Sequence, residues 1–175
     1  MMGKTHILIG ITAGLFMMES VINQPQPVGG LSLAFGGLVV GSLLPDLDHP
    51  HSLISQHIPF IGRAVSSVTR HRGFMHSVIG VAVWLFGFIL LMGAVRSSVS
   101  ADAYTISVRL FSWGLVGYVL HIGADMLTIS GVKLFYPLRF NVGLPIFSTG
   151  GIREKLLRFG LGLACLLQIL RLIML

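Results

Sequence analysis

Residues 75–95, MHSVIGVAVWLFGFILLMGAV, form an apolar stretch in which His76 is the one ionisable side chain. An α-helix of about 20 mainly apolar residues crosses the roughly 30 Å hydrocarbon core of a bilayer. Residues 106–127 and 157–175 have a similar length and are also mainly apolar. The chain is 54% hydrophobic and 10% charged, whereas about a quarter of the residues are charged in soluble domains. The sequence therefore predicts an integral membrane protein.

Two more apolar stretches, residues 6–22 and 28–44, flank the polar turn NQPQP, whose prolines cannot continue a helix. We expect the first stretch to be a retained helix and not a signal peptide, because His6 interrupts it and no A-x-A-like cleavage site follows it. The predicted fold is all-α, a polytopic membrane helical bundle of four to five transmembrane helices. It forms a single domain over residues 1–175.

Basic residues are distributed unevenly over this predicted topology. With five spans, one side of the membrane receives the amino terminus and most of the cations: Lys4, Arg63, Arg70, Arg72, Lys133, Arg139, Arg153 and Lys155. The opposite side receives Arg96. The positive-inside rule therefore places the amino terminus and the loops 45–74 and 128–156 in the cytoplasm. The same rule accounts for the net charge of +6, so we predict no nucleic-acid partner.

Ionisable residues gather at this same predicted face: His6, Asp46, Asp48, His49, His71, His76, His121 and Asp125. A charged group costs about 2.5–3.5 kcal/mol at the centre of a membrane helix, so several together require a compensating partner. A divalent metal is the simplest partner, because imidazole and carboxylate ligands suit zinc, manganese or iron. The lack of cysteine in this group favours a catalytic zinc site over a structural one. We interpret His51 and His57 as interfacial side chains in a polar loop.

The spacing of these residues also favours a shared ligand. His121 and Asp125 are four residues apart, so they project from one face of a helix. We expect Asp46 and Asp48 to lie in an extended or turning segment, where residues two apart point to the same side. Each residue alone also fits a structural role. His121 could bond to a backbone carbonyl, and Asp46 and Asp48 could be residues at a helix end near the interface. Their joint placement is what predicts a metal site.

Four strings of the sequence, THILIGITAG, GSLLPDLDHPHS, HRGFMHS and HIGADMLTISGVKLFYP, resemble the successive signatures of the predicted membrane-bound metal-dependent hydrolases. That family includes the LexA-regulated inner-membrane hydrolase type of enteric bacteria, and the resemblance covers roughly residues 1–140. The family is in turn distantly similar to the zinc-dependent phospholipases C and single-strand nucleases, which are all-helical enzymes that cleave phosphoesters with a metal cluster. The resemblance implies a location in the inner membrane of a bacterial or archaeal cell.

The resemblance also implies residue roles at a centre of one or two Zn²⁺ ions, with Mn²⁺ or Fe²⁺ as alternatives. Its ligands would be His6 for one ion, Asp46, His76 and His121 for the other, and Asp125 as the bridge. The PDLDH segment adds Asp48 and His49, as ligands or as partners of ligands. After Asp125 the chain has no histidine and only Glu154 as an acid. The soluble phospholipases supply a further ligand set there, so we expect no third metal.

The predicted function is metal-dependent hydrolysis of a phosphoester, of phospholipase or phosphatase type, in a membrane lipid or lipid-linked substrate. Asp46 or Asp48 would orient the attacking water or act as general base, and His49 or His71 would protonate the leaving group. Arg72 would neutralise a phosphate oxygen, because a guanidinium offers bidentate donors. Anchoring at the interface is the alternative role of Arg72.

The segment 53–70 places apolar residues among the basic Arg63 and Arg70. Such a pattern is typical of an interfacial helix that lies in the headgroup zone, where a site is accessible to lipids. Two other functions compete with hydrolysis. A metal-ion or proton-coupled transporter would spread its ionisable groups through the bilayer, whereas here they gather at one face. A non-catalytic, metal-stabilised membrane adaptor would need the metal for its fold alone.

Overall fold

Helices account for nearly all regular structure in the computed structural model, which describes residues 1–22, 30–69 and 73–174. The α-helices are α1 (Gly3–Ile22), α2 (Gly30–Gly41), α3 (Leu53–His57), α4 (Pro59–Val68), α5 (Val78–Val95), α6 (Ala101–Met126) and α7 (Ile152–Met174). Short 3₁₀ helices cover Leu44–Asp48 and Phe74–His76. Within the described ranges no strand forms, and two isolated bridges stabilise the loop between α6 and α7. The prediction of an all-α fold is confirmed.

Three helices, α5, α6 and α7, are long and apolar enough to cross a membrane. Most side chains of α5 and α7 are exposed, as expected for helices that face lipid. α2 has only 12 residues, which reach roughly 18 Å at 1.5 Å per residue and fall short of a bilayer core. The predicted count of four to five spans is therefore not confirmed. The predicted turn at 23–27 lies outside the described residues.

Glycines bring α2 into close contact with the second half of α6. A Cβ atom added to Gly41 would collide with the backbone oxygen of Gly114, and one added to Gly117 would collide with that of Leu38. Helices in membranes associate through small residues of this kind, because they let the backbones approach closely. The contact places the segment that follows α2 beside the end of α6.

A buried carboxylate joins the starts of α1 and α7. Glu154 accepts hydrogen bonds from the Thr5 hydroxyl at 2.5 Å, the Met2 amide at 2.8 Å and the Gly150 amide at 2.6 Å. The side chain is fully buried, so these donors are what satisfies its charge. The contact holds the first turn of α1, which carries His6, at the same end of the bundle as the segment after α2.

The predicted interfacial segment forms α3 and α4. Ser52 caps α3 by accepting a hydrogen bond from the Ser55 amide at 3.2 Å. Val65 packs against the core beside Leu44 and Leu47, whereas Phe60 is 85% exposed. α4 is therefore amphipathic, with one face on the protein and an apolar side chain directed away from it.

Candidate metal centre

Five side chains meet at one end of the bundle and form what we call the His/Asp cluster: His6, Asp46, His76, His121 and Asp125. They come from the first turn of α1, the two 3₁₀ helices and the last two turns of α6. Four of the five are almost fully buried, and Asp46 is partly exposed. The sequence pattern predicted these residues as ligands, and the fold brings all five together.

Two imidazole nitrogens face each other at the centre of the His/Asp cluster. The Nε2 atoms of His76 and His121 are 3.2 Å apart. Nδ1 of His121 lies 2.6 Å from the carbonyl oxygen of Ser42, and Nδ1 of His76 lies 3.3 Å from Oδ2 of Asp48. Nδ1 of His121 faces a carbonyl oxygen, which can only accept, so the proton of the neutral His121 ring lies on Nδ1 and its Nε2 presents a lone pair. A cation bound to this lone pair would also lie close to Nε2 of His76.

Carboxylate oxygens complete the arrangement around these nitrogens. Oδ1 of Asp46 lies 3.7 Å from Nε2 of His121 and 3.9 Å from Nε2 of His76. Oδ2 of Asp125 lies 3.9 Å and 3.6 Å from the same two atoms. Burial raises the pKa of the Asp46 carboxyl above its usual value, and the nearby His6 and His76 oppose that rise. A cation would hold this buried carboxylate in its charged form.

The contacts of His6 in this cluster do not include a hydrogen bond of normal geometry, although its Nε2 lies 3.3 Å from Oδ1 of Asp125. Its ring stacks on His121 with centroids 3.6 Å apart, and neither of its nitrogens makes a hydrogen bond within the described residues. Leaving such buried polar atoms unsatisfied costs about 1–3 kcal/mol each. Nitrogen ligation of a metal would satisfy one of them. The donor set and this orphaned imidazole therefore fit a divalent metal such as zinc.

Asp125 lies between His6 and the other ligands. Its Oδ1 is 3.3 Å from Nε2 of His6 and also pairs with the amino-terminal nitrogen of Met1. Its Oδ2 faces His76 and His121, so the two oxygens of the carboxylate face different histidines. Candidate ligand atoms of His6, Asp46 and His121 lie within 4.8 Å of one another, as do those of His76, His121 and Asp125. Both triads share Nε2 of His121, the nitrogen not committed to a carbonyl.

Asp48 lies behind His76 and not at the centre of the cluster. Asp46 and Asp48 were expected on one side of an extended or turning segment, and both belong to the 3₁₀ helix Leu44–Asp48. At three residues per turn, side chains two apart point in different directions. Asp46 therefore faces Nε2 of His76 while Asp48 faces Nδ1. Carboxylates in this second position orient metal-ligating histidines and make them more basic.

Tyr118 is a supporting residue that the sequence interpretation missed. Its side chain is fully buried on α6, and its hydroxyl donates a 2.5 Å hydrogen bond to the carbonyl oxygen of Met75. Met75 directly precedes His76, so this bond fixes the 3₁₀ helix that carries the ligand. The sequence did contain an indication of this role, a tyrosine within a predicted span. A buried phenol hydroxyl requires a hydrogen-bond partner, so Tyr118 could have been predicted to bond to a neighbouring segment.

A cavity of about 360 Å³, which we call the entry cavity, reaches the cluster at Asp46. Lys4, His49 and His51 also line it. Nδ1 of His49 accepts a 3.2 Å hydrogen bond from the His51 amide. The sequence interpretation treated His51 as interfacial, yet it borders the same cavity as His49.

Two predicted catalytic residues, His71 and Arg72, lie outside the described residues. His57 lies away from the cluster, where its Nδ1 is 2.8 Å from the carbonyl oxygen of Leu53.

The helical fold, the candidate spans and the His/Asp cluster define a helical membrane protein with a buried site of metal-ligand type at one end of its bundle. The family model described as YdjM inner membrane protein matches residues 1–174. The chain therefore belongs to the YdjM inner membrane protein family.

Two curated relatives extend this comparison. The chain is 30% identical to inner membrane protein YdjM of Escherichia coli K12 over 146 residues, which cover 83% of this chain and 70% of that protein. It is 36% identical to the Bacillus subtilis 168 protein named "Uncharacterized protein YvsG" over 168 residues, which cover 94% of this chain and 91% of that protein. No solved structure matches the chain.

Proposed function

We propose that the protein is a metal-dependent hydrolase of the inner membrane that cleaves a phosphoester in a lipid or lipid-linked substrate. The observation that carries this proposal is the 3.2 Å approach of two buried imidazole nitrogens with carboxylate oxygens on both sides. Zinc is the preferred metal, with manganese or iron as alternatives, because the donors are nitrogen and oxygen. The site faces the cytoplasm in this proposal, by the positive-inside rule.

His76, His121, Asp46 and Asp125 would hold the metal, with His6 beside Asp125. A divalent metal in such a site supplies a strong nucleophile from water at neutral pH and polarises a phosphoryl oxygen. Asp48 acts through His76, whose Nδ1 it faces at 3.3 Å, and is therefore a positioning residue in this scheme. Of the two aspartates predicted as general base, we therefore propose Asp46, which belongs to the cluster and also lines the entry cavity.

The entry cavity would bind the phosphate of the substrate. Lys4 places a cationic side chain in its wall, which complements a phosphodiester. His49 is the described candidate for protonating the leaving group. Because its Nδ1 accepts the His51 amide, the proton of the neutral ring lies on Nε2. The proposed roles of His71 as an alternative acid and of Arg72 as a phosphate ligand stay predictions.

An apolar groove supports a lipid as the substrate class. It lies between α5 and α6, has a volume of about 390 Å³ and includes Met75, Trp84, Phe111 and Tyr118 in its wall. Met75 precedes the ligand His76, so the groove begins one residue from the His/Asp cluster. A lipid with its acyl chain beside α5 and α6 would bring its headgroup towards the cluster from the bilayer.

The test uses the purified chain in lipid nanodiscs with a panel of phospholipids and lipid-linked phosphates. We expect turnover that requires added zinc or manganese and is abolished in His121→Ala. His57→Ala is the matched control, because it also removes a histidine but lies outside the cluster. The proposal would be contradicted if no member of the panel were hydrolysed in a metal-dependent reaction. Metal flux into proteoliposomes without hydrolysis would favour the transporter instead.

The orientation has a separate test. Alkaline phosphatase inserted in the segment 96–100 is expected to be active, because that segment would face the periplasm. The same reporter fused to the amino terminus is expected to be inactive. The reverse pattern would place the His/Asp cluster on the outer face.

A further inference from the structure

The loop between α6 and α7 forms a polar cavity, which we call the basic pocket. Its volume is about 500 Å³, and it is lined by Gly73, Lys133, Tyr136, Pro137, Leu138 and Arg139. None of these residues belongs to the His/Asp cluster or lines the entry cavity. The basic pocket is therefore a separate cavity from the His/Asp cluster and the entry cavity.

Backbone hydrogen bonds hold the walls of the basic pocket in place. Val132 and Val142 exchange two bonds, of 3.0 and 2.8 Å. Within the loop, the Tyr136 amide donates to the carbonyl oxygen of Lys133 at 3.0 Å. The Val78 amide donates to the carbonyl oxygen of Leu134 at 2.9 Å, which ties the loop to the start of α5. The cavity is thus preformed, which lowers the ordering cost of binding a ligand.

The charge in the basic pocket has no compensating acid in the described part of the chain. Neither Lys133 nor Arg139 makes an ion pair or a side-chain hydrogen bond there. The carboxylates at this end of the bundle are engaged elsewhere, Asp125 with histidines and Glu154 with Thr5 and two amides. Two cations in one cavity create a positive potential that favours an anion.

Apolar side chains flank the two cations. Phe135, Leu138 and Phe140 are 50%, 55% and 53% exposed, and the two phenylalanine rings lie 5.9 Å apart. Alternation of basic and apolar side chains is typical of segments at the boundary between headgroups and acyl chains. The loop also follows α6 directly and is bonded to α5, so it lies at the membrane end of two candidate spans.

We propose that the basic pocket binds the phosphate of an anionic phospholipid headgroup. The Arg139 guanidinium supplies a bidentate donor and the Lys133 ammonium a point charge, and the Tyr136 hydroxyl is a further donor. Phe135, Leu138 and Phe140 contact the adjoining acyl region. The positive-inside rule alone would explain why Lys133 and Arg139 lie in this loop. It would not require both side chains to line the same cavity, whose walls are held by hydrogen bonds. Basic pockets of this kind beside membrane helices bind lipid headgroups.

Native mass spectrometry of the full chain in a nonionic detergent tests this inference. The probes are short-chain phosphatidylglycerol, phosphatidylcholine of the same chain length, and inorganic phosphate. We expect phosphatidylglycerol to bind most tightly and the double variant Lys133→Gln/Arg139→Gln to weaken it by about tenfold or more. Lys155→Gln/Arg158→Gln removes the same two residue types outside the pocket and is expected to leave the affinity within about twofold. The affinity of Arg139→Lys for phosphatidylglycerol should lie between those of the parent chain and the Lys133→Gln/Arg139→Gln variant, because lysine keeps the charge and lacks the planar guanidinium.

Equal losses in both double variants would overturn the inference, because they would indicate an effect of overall charge. Unchanged affinity in Lys133→Gln/Arg139→Gln would overturn it as well. Inorganic phosphate that binds as tightly as phosphatidylglycerol would exclude the membrane as the source of the ligand. Both double variants should unfold at the temperature of the parent chain, because their side chains bond to no other described residue. Binding requires no turnover, so the result is independent of the proposed hydrolase activity.

Discussion

The two halves of α6 belong to one helix and one candidate span, yet they differ in their surroundings. No residue from Ala101 to Trp113 is buried, whereas the second half buries Gly114, Gly117, Tyr118, His121, Ile122, Ala124 and Asp125. An apolar helix surface is satisfied by lipid, but polar side chains at membrane depth need protein partners. The second half obtains this cover from α1, α2 and the 3₁₀ helices. α2 also packs against Leu110 and Trp113 in the first half, so the second half differs in the burial of the candidate ligands His121 and Asp125.

The largest expected effect comes from His121→Ala, which removes the nitrogen shared by both ligand triads. Metal affinity should fall by about 100-fold or more, because even partners of metal ligands contribute 10–100-fold. Competition with a fluorescent zinc chelator measures this affinity. Ser112→Ala is the control in the first half of α6, where the Ser112 hydroxyl bonds only to the carbonyl oxygen of Val108 at 2.8 Å. Similar zinc affinities in both variants would remove the distinction between the halves.

Asp48→Asn should have the next largest effect on metal affinity. The amide removes the negative charge that faces Nδ1 of His76 at 3.3 Å, so affinity should fall by about 10–100-fold. The same chelator competition measures it. Asp102→Asn, an exposed acid at the start of α6, is expected to leave the affinity unchanged. A loss in Asp48→Asn as complete as that in His121→Ala would mean that Asp48 is a ligand.

Gly117→Ala tests the close packing itself. The added Cβ would lie 2.8 Å from the Ser42 amide nitrogen and would collide with the Leu38 carbonyl. We expect the free energy of unfolding to fall by about 1–3 kcal/mol, measured by thermal denaturation in detergent. In Gly123→Ala the Cβ would meet nothing within 4 Å, so stability should be unchanged or slightly higher. Equal destabilisation by the two variants would argue against the glycine contact.

Tyr118→Phe should have the smallest effect. It removes one hydrogen bond to the carbonyl oxygen of Met75, worth about 1 kcal/mol. The metal affinity should fall several-fold, because the position of His76 is less restrained. Tyr104→Phe, in the first half of α6, should have no effect on metal binding. If the two variants behave alike, the Tyr118 hydroxyl does not position His76.

The residues of the His/Asp cluster could be predicted from the sequence because they fall at the ends of apolar stretches. His76 and His121 lie beside the start of α5 and near the end of α6, two candidate spans in succession whose two ends share one side of a membrane. His6 joins them through the packing of α1, which the Glu154 contacts hold at this end. The different environments of Asp46 and Asp48 could not be predicted, because they depend on a 3₁₀ helix set by its contacts with α4 and α6. Three-dimensional packing also decides the role of Tyr118.

The number of membrane spans predicted from hydropathy is not confirmed. Residues 28–44 are apolar enough for a span, and the described helix in this stretch, α2, has 12 residues. Hydropathy predicted this helix, whereas its glycine contact with α6 depends on three-dimensional packing.

X-ray absorption spectroscopy of the zinc-loaded protein tests whether the His/Asp cluster binds a metal. We expect a zinc shell of nitrogen and oxygen at about 2.0–2.2 Å with the outer-shell scattering of at least two imidazoles. In His121→Ala the bound zinc should be lost, so the purified variant should show no zinc absorption edge. A folded protein that binds no metal, or a shell dominated by sulfur or by water alone, would contradict the assignment of His76, His121, Asp46 and Asp125 as a metal centre.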